Sequence, residues 1–254
     1  MPTNRTERTV RLVALAALAV PLLSLLLTPV AQPPAYHNFA DQRTLAAIPH
    51  AANVLSNLPL LAVGIWGLWV VTHGVRRRSM FVDPAGALPY ALLFGGVTLT
   101  AFGSAAYHWQ PNDATLVWDR LPIALGFAGL TAGVLGDRAP ASAPMLSLAC
   151  ALLAVATVAW WATTANLLPY LAMQAAFLAA TLFAVARLPA QHSHANRIAA
   201  ALALYALAIV FEAADHATFA ALGGTISGHT VKHLLGAAAI AVVAQMLRRR
   251  TAVA

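Results

Sequence analysis

Charged side chains are scarce in this chain of 254 residues. Aspartate, glutamate, lysine and arginine make up only 9% of it, whereas hydrophobic residues make up 60%. A soluble domain of this length needs a charged surface, so the composition excludes that class. Apolar stretches of about 20 residues recur instead, the length that crosses a hydrocarbon core of roughly 30 Å. The sequence therefore predicts an all-α integral membrane protein.

Cysteine is nearly absent as well, since Cys150 is the only one. A single cysteine excludes an intrachain disulfide, and its position inside an apolar segment indicates a packing role. Acidic residues number only 8 against 15 basic ones, which leaves a net charge of +7. The basic residues do not form one patch, so they do not indicate a nucleic-acid partner.

Turn and charge signals divide the chain into eight apolar segments. We expect a seven-transmembrane-helix bundle with one additional N-terminal transmembrane helix. The predicted segments are residues 11–29, 53–73, 87–108, 118–136, 142–163, 167–187, 198–217 and 228–247. These segments divide the chain into a hydrophobic N-terminal helix at 1–30, an extracytoplasmic loop at 31–52 and a seven-helix domain at 53–250.

The first segment has a second interpretation. Arg5, Arg8 and Arg11 precede an apolar run, as in the first part of a signal peptide. However, the run from Leu12 to Leu27 is long for a signal peptide, and residues 29–31 make a poor cleavage site. We therefore expect a transmembrane segment or signal anchor here, and cleavage is the alternative.

The arginines sort onto alternate loops, which is the positive-inside pattern of multi-pass membrane proteins. With both termini in the cytoplasm, only Arg43 and Arg120 fall on the extracytoplasmic side. The cytoplasmic set is then Arg5, Arg8, Arg11, Arg76, Arg77, Arg78, Arg138, Arg187, Arg197, Arg248, Arg249 and Arg250. The bilayer is the expected partner. Because no segment resembles a soluble domain, we predict no obligate protein partner.

Polar residues interrupt the apolar segments at helical spacings. Ser104 and His108 form one i,i+4 pair, His229 and His233 form another, and Asp119 stands near the start of its own segment. Ionisable groups in membrane helices are costly and rare. The predicted topology places all five at the extracytoplasmic ends of their helices. Three imidazoles at one depth can share a zinc ion and leave a fourth tetrahedral position open.

Each of these signals has a simpler explanation when taken alone. A histidine pair one helical turn apart is common by chance, and Asp119 can pair with Arg120 or offset a helix macrodipole. The combination favours a metal site. Five further histidines lie in or near loops, and we assign none of them to the metal; they are His37, His50, His73, His192 and His194.

The sequence resembles the alkaline ceramidase family in its motifs. These are G-S-x-x-x-H, an aspartate eleven residues later, and a final-helix H-x-x-x-H. The family belongs to a superfamily of seven-helix membrane hydrolases that includes the adiponectin and progestin receptors and the lipases that remodel GPI anchors. The likeness covers the seven helices from residue 53 onward. The segments 39–43 and 227–229 look like bacterial members, which implies a bacterial inner-membrane protein.

The resemblance implies a zinc-dependent amidohydrolase that splits ceramide-like N-acyl lipids, entering from the bilayer, into fatty acid and sphingoid base. It implies that His108, His229 and His233 bind zinc and that Asp119 acts on the zinc-bound water. Ser104 would then donate a hydrogen bond to the reaction's oxyanion. A nucleophilic serine is the rival role, but no histidine is left as its base once all three are ligands.

One departure from the family concerns calcium. Animal alkaline ceramidases carry acidic residues before and at the start of the first bundle helix, where they are expected to hold calcium. Here Asp41 alone offers a carboxylate, and His50 occupies the position of a glutamate. Calcium needs several oxygen ligands, so we predict no calcium site. We expect Asp41 and Arg43 to tie down the loop over the active site instead.

Polar residues outside the motifs suggest supporting roles. Asp215, and less directly Glu212, could accept the N–H of a metal-bound imidazole and so orient it; a polar contact within the bundle is the alternative. Lys232, the only lysine, is expected to snorkel to the outer interface or to contact an anionic lipid headgroup. A polar stripe formed by Asn53, Ser56 and Asn57 is expected to form interhelical hydrogen bonds.

Three other functions are left open by the sequence. They are a heptahelical receptor or sensor with a structural zinc site, an acyl-ester lipase of the same superfamily, and a proton-linked transporter that uses Asp119, Glu212 and Asp215. A transporter should show internal repeats and broken helices at the membrane midplane. The sequence shows no sign of either.

Overall fold

The computed structural model describes residues 4–77, 80–81 and 83–251. Within these ranges all regular elements are helical, as predicted. The ten α-helices are α1 (Asn4–Leu23), α2 (Ala51–Leu55), α3 (Leu58–Arg77), α4 (Ala87–Trp109), α5 (Asp113–Gly136), α6 (Ala143–Thr164), α7 (Leu168–Arg187), α8 (Arg197–Ala213), α9 (Asp215–Ala221) and α10 (Gly228–Arg249).

Six helical stretches of the described chain are long and apolar enough to cross a membrane. They contain α1, α2 with α3, α4, α6, α7 and α10, and a bent pair made of α8 and α9 raises the number to seven. These helices indicate a multi-pass membrane protein. The predicted span at 118–136 is not among them, because α5 carries Asp119 and Arg120 and its uninterrupted apolar part begins only at Leu121.

The predicted single helix at 198–217 is wrong. α8 ends at Ala213, α9 begins at Asp215, and the two helices bend by 80°. Gly228 shows why the chain turns here. A Cβ atom on Gly228 would lie 2.1 Å from the main-chain oxygen of Phe211 and 2.8 Å from the Cα of Asp215. The first turn of α10 therefore packs directly against the break, at an end of the bundle and not at its middle.

Glycines bring α4 and α5 into close contact along their length. A Cβ atom at Gly129 would lie 2.3 Å from the amide nitrogen of Leu93, and one at Gly103 would lie 1.9 Å from the main-chain oxygen of Trp118. Small residues allow helix backbones to approach this closely inside a membrane. The second contact matters for the site, because Gly103 precedes Ser104 and Trp118 precedes Asp119.

The N-terminal helix is part of the bundle. α1 packs along α7, and its residues Val10, Ala14 and Ala17 are buried. It begins at Asn4, seven residues before the predicted segment, and ends at Leu23, where a short 3-10 turn follows. α1 is therefore packed into the described bundle like the other long helices.

A buried ion pair closes the opposite end of the bundle from the start of α10. Arg250 follows α10 and donates from Nη1 to Oδ2 of Asp137 at 2.7 Å and from Nε to the main-chain oxygen of Met80 at 2.8 Å. The Tyr90 hydroxyl donates to the same Asp137 oxygen at 2.6 Å. Arg250 is 4% exposed, so this contact fastens the end of the chain to α4 and α5.

Candidate metal centre

Three histidines from two helices meet at one end of the bundle. His108 lies in the last turn of α4, and His229 and His233 lie in the first two turns of α10. One ring nitrogen from each lies within 4.8 Å of the other two, and all three side chains are buried. The residues that the sequence singled out as metal ligands therefore do converge.

The spacing of the ring nitrogens fits a metal ion. Zinc–nitrogen bonds of about 2.0–2.1 Å in a tetrahedron place neighbouring ligand atoms roughly 3.3 Å apart. The Nε2 atoms of His108 and His229 are 3.2 Å apart. Imidazole suits zinc, copper, iron and nickel, so the geometry supports a metal site without selecting the metal.

Ser56 holds one of these imidazoles in place. Its Oγ lies 2.7 Å from Nδ1 of His233 and also donates to the main-chain oxygen of Asn53 at 3.0 Å. With its proton used there, the serine oxygen accepts the Nδ1–H of His233. That tautomer leaves Nε2 unprotonated, as a metal ligand must be. We had expected only interhelical hydrogen bonding from Ser56, and its specific partner could not be read from spacing.

The other members of that polar stripe behave differently. Asn53 accepts interhelical hydrogen bonds from Thr230 at 2.9 Å and Ser227 at 3.3 Å, as expected. The side-chain amide of Asn57 instead donates to main-chain oxygens of its own segment, those of Asn53 and Val54. Asn57 therefore stabilises the turn between α2 and α3, and the prediction was wrong for it.

Asp215 supports the centre through the main chain and not through an imidazole. Its Oδ1 accepts the main-chain N–H of His229 at 2.8 Å, and its Oδ2 accepts the main-chain N–H of Ala40 at 2.8 Å. Ser227 caps the same helix by accepting the N–H of Thr230 at 3.1 Å. A carboxylate is favourable at a helix N-terminus. Asp215 thus fixes the start of α10, a different contact from the predicted imidazole hydrogen bond.

The loop at residues 31–50 covers the histidines. Phe39 is 3% exposed, and its ring centroid lies 4.6 Å from that of His108 and 4.8 Å from that of His229. His50 donates from Nδ1 to the main-chain oxygen of His108 at 2.9 Å. Sequence reasoning gave neither residue this role. No sequence signal distinguishes Phe39, because Tyr36, Leu45 and Ile48 are large apolar side chains of the same loop.

Asp41 and Arg43 fasten this loop, as expected. Their side chains form an ion pair at 2.6 Å, and Arg43 also donates to the main-chain oxygen of Thr225 at 2.7 Å. The hydrogen bonds from Arg43 lower the pKa of the Asp41 carboxyl below its ordinary value. The carboxylate is therefore already engaged by a cation within the loop.

A cavity of about 450 Å³ lies beside the histidines. This volume is within the range of small-molecule sites, about 300–1,000 Å³. His233, Ser104 and Asp119 are among the residues that line it, and apolar side chains form most of its wall. Those from α5, α8 and α10 include Pro122, Ile123, Phe127, Leu130, Leu202, Ile209, Ile240 and Val243.

The chain matches no protein-family model, no curated protein and no solved structure. The metal centre, the cavity and the sequence motifs are therefore the grounds on which a function can be proposed.

Asp119 and Ser104 are the polar pair beside the histidines. They are 7% and 2% exposed, and both line the cavity. Oδ1 of Asp119 has no hydrogen-bond partner among the described residues. The simpler interpretation, an ion pair between Asp119 and Arg120, does not hold for these residues. The cavity wall that contains His233 thus also contains a carboxylate with an unpartnered, buried oxygen.

Lys232 turns inward, contrary to the prediction that it snorkels to the interface. Its side chain lines the same cavity and forms an ion pair with Glu212. Glu212 also accepts a hydrogen bond from Tyr36 at 3.4 Å. The carboxylate inside the cavity offers the lysine a stronger partner than the interface does, because an ion pair gains strength in apolar surroundings. Glu212 therefore orients Lys232, and not an imidazole.

Proposed function

We propose that the protein is a zinc-dependent membrane amidohydrolase that cleaves the N-acyl bond of ceramide-like lipids. One observation carries the proposal: three buried imidazoles converge, and one of them, His233, lines an apolar cavity together with Asp119, whose Oδ1 has no hydrogen-bond partner among the described residues. A structural metal site needs no such acid or base next to it. The motif resemblance to alkaline ceramidases supports the choice of zinc and of an amide bond.

The three histidines suit the metal that this chemistry requires. A zinc ion bound by His108, His229 and His233 would generate a nucleophile from water at neutral pH and polarise a carbonyl. Ser56 contributes by holding His233 in the ligating tautomer. Asp215 contributes by fixing the main chain of His229.

Asp119 and Ser104 supply the remaining groups. The Asp119 carboxylate takes a proton from the attacking water and returns it to the departing amine nitrogen, so that the C–N bond breaks without releasing an amide anion. The Ser104 hydroxyl donates a hydrogen bond to the carbonyl oxygen as negative charge develops on it. Ser104 does not act as the nucleophile, because the histidines beside it serve as ligands.

The apolar wall indicates a substrate with a long acyl chain, which can reach the cavity from the bilayer. Trp109 is the last residue of α4 and is 52% exposed. Trp118 lies near the start of α5 and is 65% exposed. Exposed tryptophans are typical of the membrane interface. They support an interfacial depth for the site. The arginine distribution supports an extracytoplasmic site in a bacterial inner membrane, with both termini in the cytoplasm.

The proposal is tested by metal analysis of the purified protein together with hydrolysis of matched N-acyl and O-acyl lipids. We expect about one zinc per chain, in keeping with one three-histidine site, and turnover of the N-acyl lipids.

Preferential turnover of the O-acyl lipids would replace the amidohydrolase with an ester lipase. Full activity after metal removal would contradict the mechanism, and zinc without any turnover would favour the receptor alternative. Stimulation by calcium after chelation would contradict the prediction of no calcium site.

A further inference from the structure

A second buried charge lines the cavity. Arg120 follows Asp119 on α5, is 5% exposed, and contributes to the cavity wall. Burying a charge is costly unless an opposite charge or several hydrogen bonds compensate for it. Among the described residues no carboxylate lies within ion-pair distance of Arg120. No contacting carboxylate of the described chain therefore compensates for this charge.

Aromatic rings surround the guanidinium without neutralising it. Its Cζ lies 4.1 Å from the ring centroid of Trp161, 5.1 Å from that of Tyr170 and 5.5 Å from that of Tyr36. Rings stacked on the faces of a guanidinium leave its N–H edges available for a planar anion. One edge is used, because Nη2 donates to Oε1 of Gln32. Nη1 is buried and has no acceptor among the described residues.

Further polar groups lie at the same part of the cavity. Tyr170 accepts a hydrogen bond from Nε2 of Gln174 at 3.0 Å, and no acceptor for its own O–H occurs in the described part of the chain. Gln32, Tyr36, Tyr170 and Gln174 all line the cavity with Arg120. The Nη1–H of Arg120 and the O–H of Tyr170 are thus two donors of cavity-lining residues that have no acceptor in the described chain.

The other charges of the cavity are already engaged. Lys232 is paired with Glu212, and Asp119 stands beside the histidines as the proposed proton carrier. Arg120 is therefore the cation of the described cavity wall that lacks an anionic partner. A fatty acyl chain carries no charge. In the intact substrate, an anion that meets Arg120 must therefore belong to the other half of the lipid.

We propose that Arg120 binds an oxyanion on the amine half of the substrate, so that the preferred substrates are N-acyl lipids with a carboxylate or phosphate headgroup. Because Asp119 and Arg120 are consecutive on α5 and both line the cavity, the headgroup anion and the scissile amide lie close together. The substrate class rests on the proposed function, whereas the anion site rests only on Arg120 and its neighbours.

Three substrates with the same acyl chain test this proposal. They are N-dodecanoylglycine, which carries a carboxylate, N-dodecanoylethanolamine phosphate, and the neutral N-dodecanoylethanolamine. Hydrogen bonds to a charged group contribute enough for about a 10- to 100-fold preference. We expect wild-type kcat/KM to favour at least one anionic substrate over the neutral one by that factor. The better anionic substrate identifies the headgroup.

Variants separate anion binding from packing. Arg120→Gln should lower kcat/KM for the anionic substrate far more than for the neutral one, so that the preference is lost, while Arg120→Lys should restore part of the preference. Arg197→Gln is the matched control, since Arg197 donates to Gln245 outside the cavity and the variant loses the same charge. An equal loss of turnover for all three substrates in Arg120→Gln would show that Arg120 only packs the helices, and would overturn the proposal.

A binding measurement distinguishes failure of this proposal from failure of the hydrolase. If wild-type protein hydrolyses none of the three substrates, the proposed function fails. Displacement of a fluorescent amphiphile from chelator-treated, metal-free protein by dodecyl phosphate and by dodecanol then tests the anion site without turnover, and metal removal eliminates binding of phosphate by zinc. We expect dodecyl phosphate to bind about 10-fold more tightly or better. Equal binding of the two, or a wild-type preference for the neutral substrate, would overturn the anion site.

Discussion

The Oγ of Ser56 lies 2.7 Å from Nδ1 of His233, although 177 positions separate the two residues. The serine follows α2, just before α3 begins, and the histidine lies in α10. This hydrogen bond links two helical elements and also sets the protonation state of a candidate metal ligand. Similar partners of metal-bound histidines commonly contribute 10- to 100-fold to metal affinity or activity.

Ser56→Ala should therefore weaken zinc binding by about 10-fold or more, because His233 loses the group that orients it. Competition with a chelator measures the affinity. Ser147→Ala is the matched control, since the Ser147 hydroxyl is buried on α6 and bonds only within its own helix. Equal zinc affinity in wild type and Ser56→Ala would refute the role given to Ser56.

His229→Ala should lose both the metal and turnover, because two imidazoles cannot replace a three-ligand site. Metal content after dialysis against a weak chelator, together with turnover, provides the measurement. His194→Ala, at an exposed loop position, should keep both. A His229→Ala protein that retains wild-type metal content would show that the three histidines are not the site.

Asp119→Asn should retain the metal and lower kcat by about 10²- to 10⁴-fold, which is the usual contribution of a general base. The substitution keeps the shape of the side chain but removes its ability to accept a proton. The decisive comparison is metal content against kcat in the same preparation. Loss of both together would make Asp119 a structural residue, and no loss of either would remove it from the mechanism.

Arg250→Ala should destabilise the fold by about 3 kcal/mol, because it leaves the Asp137 carboxylate without its buried partner. Thermal unfolding in detergent measures the change. Arg249→Ala removes the same charge one residue earlier, at an exposed position, and should change stability by less than about 0.5 kcal/mol. Similar effects of the two substitutions would contradict a specific role for the Arg250–Asp137 pair.

Stability should also depend on pH through His192, which lies in the loop before α8. Burial, followed by the charge of Arg250, lowers the pKa of His192 in the folded protein, although Asp137 partly opposes this effect. The unfolded chain, with a pKa near 6.5, then binds the proton more readily. The free energy of unfolding should therefore decrease as the pH falls below about 6.5, until the folded-state pKa is reached.

His192→Gln should reduce this pH dependence, because it removes the group that takes up the proton on unfolding. Unfolding temperatures at pH 7.5 and 5.5 provide the comparison with wild type. His194→Gln, two residues away and exposed, serves as the control and should keep the wild-type difference. A His192→Gln protein with an undiminished difference would contradict the assignment.

Much of the fold was determined by composition and periodicity alone. Apolar segments of membrane-spanning length predict helices because the backbone must satisfy its hydrogen bonds internally in lipid. The i,i+4 spacing of His229 and His233 places both on one helical face wherever that helix packs. Their convergence with His108 also followed from sequence, since a helical hairpin topology brings alternate helix ends to the same side.

The tertiary structure decided the contacts between distant segments. The break after Ala213 depends on the close approach of Gly228, and the inward direction of Lys232 depends on Glu212 of another helix. Asp215 bonds the main chain of His229, a partner that no side-chain pattern reveals. Arg120 shows the same limit, because its aromatic neighbours come from a loop, α6 and α7. Helical periodicity is local and readable, whereas the partner of a buried polar group is set by which helices pack together.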